Sequence, residues 1–510
     1  MSTYLPILAQ ARGTSADIGA QASAFLDLII TPAGFAMVFL GLGVLTLALV
    51  SRAGTTLVAS FAVFLLSMMR TDSKWSDNTL IPPLETLRTF SRPLAFALLI
   101  VLAMRSLAFV RGTRQVFLVL PAVLFLSYEL YYVTMLGAFV DPFRGIFGAI
   151  CYFAAITAFV LGLPRLMQDD ENPAAFLKIF AIAGLMFIGA NLLQLGGGYY
   201  NAVIQGRLTG ISGNAQQFAM TCCIFVIVGC YFFASGANGS WTKWLAGVTL
   251  GLLGLFVLWS GSRTGAVCSI VIILAYFRTK LGRLALLGIV GGAAFAGAIA
   301  VFGESLEIVE RFFRGGDTRS EVWSAALKDF ANSPIFGQIP RAKDDTLNFT
   351  ESTYLRTLAL MGGIGGALLL GVLLTWFGFS IRVWRMGRSI PSLGSLSDFV
   401  IAGTAFFFVA NIGEGLMLGV LTVFIPFIYG IFATGAFVLD AGAREIVWRE
   451  EHGWDDEHDE TSEDDWSPDT EQTTAHPVDA HWAPALPALS RTATGGDLNR
   501  DFHHDNHRGA

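Results

Sequence analysis

Residues 215–235 read Ala-Gln-Gln-Phe-Ala-Met-Thr-Cys-Cys-Ile-Phe-Val-Ile-Val-Gly-Cys-Tyr-Phe-Phe-Ala-Ser, without one charged side chain. A membrane-crossing helix needs about 20 consecutive, mostly apolar residues, and this stretch supplies them. Its neighbours 174–195 and 241–259 are almost as apolar, each with a single lysine, and the pattern continues in both directions. Candidate spans are 34–50, 54–70, 93–110, 116–138, 145–164, 174–195, 215–235, 241–259, 264–278, 284–302, 355–381, 398–412 and 416–439. The expected fold is all-α: a polytopic membrane helix bundle of about 12–13 helices. The alternating ten-residue strands of a membrane β-barrel are not seen, nor is any fixed-period repeat.

Composition agrees with this reading. Of 510 residues, 54% are apolar and 14% charged; soluble proteins carry about 25% charged residues. A soluble enzyme, a disordered chain and a disulfide-rich secreted domain are thereby excluded for most of the length. A net charge of −6 without a basic patch argues against nucleic acid as a partner. That charge divides unevenly. Residues 440–510 hold 18 of the 39 acids and 5 of the 33 bases, a balance of −13, which leaves +7 for residues 1–439. All seven histidines, at 452, 458, 476, 481, 503, 504 and 507, lie in the acidic part. The expected organisation is an N-terminal segment 1–27, a membrane domain 28–439 and a disordered acidic cytoplasmic tail 440–510. Residues 1–27 lack the basic region and short apolar core of a secretory signal. The five cysteines, Cys151, Cys222, Cys223, Cys230 and Cys268, sit in apolar runs without a CxxC pair and read as packing residues.

Lysine and arginine in short loops set orientation. One alternate set of loops holds Arg52; Arg111 and Arg114; Arg165; Lys243; Arg278, Lys280 and Arg283; and Arg382, Arg385 and Arg388, with Arg444 and Arg449 following the last span. These read as cytoplasmic. The segment near 196–213, the junction 260–264 and the long loop 303–353 then face outward. The loop 71–92, with Lys74, Arg88 and Arg92, does not fit this alternation. Within the long loop, Val322, Ala325, Ala326 and Phe330 recur at helical spacing, which predicts an amphipathic helix over 318–331 on the membrane surface, ended by Pro334.

Three outward arginines need a reason, because positive residues are disfavoured on that side. They are Arg207 in Gly206-Arg207-Leu208-Thr209-Gly210, Arg263 in Ser262-Arg263-Thr264-Gly265, and Arg319 at the start of the loop helix. The plain reading is contact with lipid phosphates. The sharper one is an anion site, because guanidinium groups grip phosphate oxygens in a bidentate fork. Glu351 immediately precedes a span. The helix dipole alone would favour it there; as a general base it could accept a proton from a sugar hydroxyl. Ser352 and Tyr354 could orient it or contact sugar. Glu129 and Glu414, inside or between spans, are weaker candidates that could equally pair with arginines.

These pieces, taken in order, resemble the O-antigen ligase and O-antigen polymerase superfamily over roughly residues 200–380. They are Arg207-Leu208-Thr209-Gly210 with Gly213-Asn214-Ala215-Gln216; Ser260-Gly261-Ser262-Arg263-Thr264-Gly265; Asp317-Thr318-Arg319 with Trp323 and then Asn332-Ser333-Pro334-Ile335-Phe336-Gly337; and Glu351-Ser352-Thr353-Tyr354-Leu355 with the glycines at 362–366. The resemblance implies a metal-independent membrane glycosyltransferase with a type C-like bundle and no cofactor. It implies transfer of a glycan from undecaprenyl pyrophosphate to an acceptor glycan hydroxyl, on the periplasmic face of a bacterial inner membrane, with membrane lipids around it and a chain-length regulator as a candidate partner. Arg207 and Arg319, with Arg263, would bind pyrophosphate. Arg319 and Glu351 would be catalytic, and Asn214, Trp323, Ser352 and Tyr354 would position substrate.

Ligases of this superfamily carry a histidine eleven residues before a glycine. Here Glu351 stands eleven residues before Gly362, and no histidine occurs in 1–439. The resemblance therefore points to a polymerase of lipid-linked repeat units in exopolysaccharide or O-antigen assembly. Ligase-type transfer to lipid or protein is the alternative. Gly337-Gln338-Ile339-Pro340 departs from the more usual Gly-x-Gly. A rival class is a transporter of lipid-linked sugar, which would usually show paired repeats and broken helices near mid-membrane.

Overall fold

The computed structural model describes residues 80–85, 87–88, 98–104, 120–131, 142–167, 172–235, 239–279, 318–337, 352–416 and 424–452. The candidate spans 34–50, 54–70 and 284–302, Glu351, the N-terminal segment and residues 453–510 lie outside them. The described chain is almost entirely helical. Its longer helices are α1 (Leu120–Tyr131), α2 (Pro142–Ala155), α3 (Asn172–Gly197), α4 (Ala215–Ala234), α5 (Ser240–Ser260), α6 (Arg263–Tyr276), α7 (Thr318–Asn332), α8 (Thr353–Ser389), α9 (Gly394–Gly413) and α10 (Phe424–His452). Helix α2 continues through a π-helical stretch, Ile156–Gly162. Among the described residues, six helices are long and apolar enough to cross a membrane: α3, α4, α5, α8, α9 and α10. The all-α membrane-bundle expectation holds to that extent. The five cysteines are buried and unpaired with one another, as packing residues should be.

Helix α4 and helix α9 form the centre. Helix α4 packs on α3, α5, α6 and α9, and α9 packs on α4, α6, α8 and α10. Helix α4 reads apolar on every face because it is enclosed: 72% of its most apolar window is buried, against 22% for the peripheral α5. Glycine sets the closest approaches. At Gly265 of α6 a β-carbon would come within 2.6 Å of the Ala219 methyl on α4, and the Cys223 thiol lies 3.4 Å from the Gly265 carbonyl oxygen. The aromatic side chains Phe187, Phe218 and Phe256 interlock α3, α4 and α5, with ring centroids 5.5 and 5.7 Å apart in the two pairs.

The direction of each helix follows from its contacts. Arg278, just beyond α6, pairs with Asp398 in the first turns of α9 at 2.8 Å. Helices α6 and α9 are therefore antiparallel, and the start of α6 lies at the same end as the finish of α9. The start of α8 is bonded to that finish, through Thr353 N donating to the Glu414 carbonyl at 3.3 Å. Gly442 of α10 abuts Met386 near the end of α8. One end of the bundle thus collects Lys178, Lys243, Arg278, Arg382, Arg385, Arg388, Arg444 and Arg449. Seven of these eight are residues that the loop charges assign to the cytoplasm; Lys178 joins them from within α3.

Helix α7 is where the sequence-based picture needs changing. Its ends agree, since it stops at Asn332, two residues before Pro334. Its apolar face is Val322, Ala326 and Phe330, one residue in four; Ala325 is exposed. It packs on α8 rather than on lipid alone. The turn after it plugs into a kink in α8. Gly362 there adopts φ 65°, ψ −163°, which breaks the helical ladder. The freed amides bond across the gap: Gly363 N to the Pro334 carbonyl at 2.7 Å and Ile364 N to the Ile335 carbonyl at 3.3 Å. Gly337, with φ 72°, completes the joint. A β-carbon at Gly362 would run into the Ile335 carbonyl, and one at Gly337 into the Leu360 carbonyl.

Gly362→Ala should therefore lower stability by about 2 kcal/mol, through positive-φ strain and the loss of backbone contact. Gly371→Ala, at a helical position of α8 with open space around it, should be neutral or slightly stabilising. Thermal unfolding of the two purified variants in detergent checks the contrast. Equal transitions would mean that the joint carries no weight.

Candidate functional site

The end of the bundle opposite the basic one gathers the finishes of α3, α5 and α9 and the starts of α4, α6 and α8. Two asparagines organise it in the same way. Asn191, near the finish of α3, donates from Nδ2 to the Phe187 carbonyl at 2.8 Å, one turn back. Its Oδ1 accepts from Ile211 N at 2.8 Å. Asn411, near the finish of α9, donates to the Phe407 carbonyl at 2.7 Å, and its Oδ1 accepts from the Thr353 hydroxyl. Each fully buried amide satisfies itself on its own helix and ties down the entry of another. The chain before α4 presses so closely on Asn191 that Gly210, at φ 51°, has no room for a β-carbon.

Arg207 is carried by a two-stranded hairpin in which Val203 pairs with Leu208 and Ile204 with Arg207. The turn uses Gln205 at φ 51° and Gly206 at φ 72°, the double positive φ of a tight hairpin. The Nε of Arg207 donates to the Ser260 carbonyl, the last of α5, at 2.8 Å. A cation on a helix C-terminus is favourable by itself, so Arg207 has a structural task as well as any ligand-binding one. Ser260 and Ser262 make the next turn. Gly261 caps α5 at φ 61°, and the Ser262 hydroxyl accepts from Gly265 N at 3.1 Å to cap α6. Arg263 follows, exposed, as the first residue of α6. Arginine opposes the dipole there, which makes a helix-stabilising explanation of Arg263 poor. A backbone contact therefore joins two arginine-bearing motifs that lie 53 residues apart in sequence, from 207 to 260.

Three of the four proposed positioning residues, Asn214, Ser352 and Tyr354, turn out to have structural partners. The Asn214 side chain caps α4, accepting from Gln216 N at 2.8 Å and Gln217 N at 3.3 Å. Ser352 is buried, with its hydroxyl 3.4 Å from the Asn411 carbonyl. The Tyr354 hydroxyl donates to the Phe408 carbonyl at 3.0 Å. Both point into the bundle toward α9. Their geometry suits holding the start of α8, and with it the backbone next to Glu351, better than touching sugar. Glu351 itself lies outside the described residues, and Arg319 lies in the first turn of α7 with its side chain outside them. Glu414 is buried at the finish of α9. Glu129 lies deeper in the bundle and accepts a hydrogen bond from the Tyr152 hydroxyl.

Three further enclosed polar atoms stand on two of the helices: Trp323 Nε1 on α7, and Arg356 Nε and Thr357 Oγ1 in the first turns of α8. They have no hydrogen-bond partner among the described residues. An enclosed donor left unmatched costs about 1–3 kcal/mol, so each of these atoms calls for a partner. Arg356 and Thr357 carried no role in the sequence reading, and Arg356 follows Glu351 by five residues. The signal available was an arginine within the first turn of an apolar span, at the disfavoured end. Among the described residues, no group of three or more His, Cys, Asp or Glu could hold a metal ion. No known protein-family model matches the chain, and no curated protein matches it in sequence.

Asn191→Leu should remove both amide bonds and strand Ile211 N, at a cost of about 1–3 kcal/mol. The hairpin bearing Arg207 should loosen with it. Hydrogen exchange of residues 203–213 would report this; unchanged protection there would show that Asn191 does not hold the hairpin.

Proposed function

We propose that this chain polymerises lipid-linked oligosaccharide repeat units, transferring glycan from undecaprenyl pyrophosphate to an acceptor sugar hydroxyl at the outer face of a bacterial inner membrane. The observation that carries the reading is the hairpin-to-turn contact. It brings Arg207 beside the Ser260–Arg263 turn, at the same end of the bundle as the start of α8, which directly follows Glu351. The ordered motifs that resemble the O-antigen ligase and polymerase superfamily support it, as does the histidine-free membrane region. Arg207 and Arg263 lie at one end, opposite the basic end, which favours surface chemistry over passage through the bundle.

In this reading Arg207, Arg263 and Arg319 hold the pyrophosphate. The acceptor oxygen attacks the anomeric carbon, the bond from that carbon to the pyrophosphate oxygen breaks, and undecaprenyl pyrophosphate leaves with the bonding electrons. Glu351 takes the proton from the acceptor hydroxyl. A general base contributes about 100- to 10,000-fold, and one preorganised donor to developing charge about 3–4 kcal/mol. The bilayer confines both lipid-linked substrates to one plane, which reduces the entropy of encounter. Ser352, Tyr354 and Asn214 act through the backbone they fix.

The test is chain extension of a defined lipid-linked repeat unit by the purified protein. Glu351→Gln should slow extension by about 100-fold or more. Arg319→Ala should slow it comparably while leaving the unfolding transition in place. Full activity in both variants would end this mechanism.

A further inference from the structure

A cavity of about 280 Å³ opens between α3, α4 and α5, in the half of the bundle nearest the basic end. Its wall is apolar, formed by Ala181 and Leu185 of α3, Phe225 and Gly229 of α4, and the early turns of α5. It opens sideways, since the lining residues Ile182 and Leu185 are 53% and 40% exposed. On a membrane-embedded helix that exposure faces lipid. The site described above lies at the other end, so the cavity is separate from it.

Three observations define what fits. The groove is nearly without polar groups apart from Lys178, Thr242 and Thr249, which suits a hydrocarbon chain and not a sugar. Lys178 lines it, and Lys243 stands in the first turn of α5 at the same end. A lysine there can keep its stem along the apolar wall and raise its ammonium to the headgroup level. Finally, Trp241 and Trp244 stack with centroids 5.1 Å apart on the outer surface of α5, 71% and 57% exposed. Exposed tryptophans on a membrane helix sit at the headgroup boundary. They place the mouth of the groove at the depth of lipid phosphates, with its apolar wall at the depth of the chains.

We infer that this groove binds one acyl chain of an anionic phospholipid, whose phosphate is held by Lys178 and Lys243. The chain takes the space between α3 and α5, and the two lysines select the charge of the headgroup. This holds whether or not the transferase reading does.

Native mass spectrometry of the full-length protein, titrated with dioleoyl phosphatidylglycerol or dioleoyl phosphatidylcholine, tests it. The wild type should retain one phosphatidylglycerol about fivefold more tightly than phosphatidylcholine. Lys178→Gln should bring the two lipids close to equal. Ala181→Phe and Thr249→Phe, made separately to fill the groove, should each reduce retention of both lipids by about tenfold. Retention would be compared only for variants whose unfolding transition matches the wild type. Equal retention of both lipids by the wild type, or undiminished retention in a folded phenylalanine variant, overturns the proposal.

Discussion

A helix in hydrocarbon must satisfy its polar groups from within the protein, because no water is there to do so. That constraint shapes this bundle more than any single contact. Hydroxyls along the helices fold back onto the carbonyl one turn earlier: Thr221 on Gln217, Thr375 on Gly371, Thr404 on Val400 and Thr434 on Gly430. Asn191 and Asn411 go further. Each satisfies its amide nitrogen on its own helix and spends its oxygen on a different segment. The junctions before α4 and before α8 are thereby fixed at one end of the bundle, and the candidate site is built on those junctions.

The kink at Gly362 follows the same rule. Breaking a helix inside the bundle releases amides, and the turn after α7 supplies carbonyls to receive them. The joint holds the end of α7 against α8, nine residues from the start of that helix, or about 14 Å at helical rise. Helix α7 carries Arg319 and Trp323, and the joint fixes the finish of that helix on α8. Arg207 has a structural purpose of its own. Its Nε is committed to the end of α5, which fixes where the rest of the guanidinium can reach.

Hydropathy made the helices legible. Spans expected at 215–235 and 241–259 are helices Ala215–Ala234 and Ser240–Ser260, and the amphipathic pattern at 318–331 is a helix over Thr318–Asn332. Loop charge likewise foretold which residues share the basic end. What the sequence left unreadable is which neighbour each element meets. The glycines at 362–366 entered only as part of a motif, whereas Gly362 is required by a close backbone contact with Ile335 and Gly337. Ser352 and Tyr354 stood beside an acid and read as its helpers at a surface; their hydroxyls turn inward to carbonyls of α9. Asn191 and Asn411 sit inside apolar runs, where a lone amide carries no local sign of the segment it will hold. At the candidate site, the hairpin-to-turn contact joining two of the motifs was not readable.

The central claim is directional: the end bearing Arg207, Arg263 and the start of α8 faces outward, and the basic end faces the cytoplasm. Site-directed labelling in spheroplasts with a membrane-impermeant maleimide tests it directly, since the native cysteines among the described residues are all buried. Tyr200 is 90% exposed beside the Arg207 hairpin, and Gly239 precedes α5 at the basic end with open space around it. The expected result is rapid labelling of Tyr200→Cys in intact spheroplasts, with Gly239→Cys labelled only after the membrane is opened. The reverse pattern would put the arginines on the cytoplasmic side and contradict an outward-facing transferase.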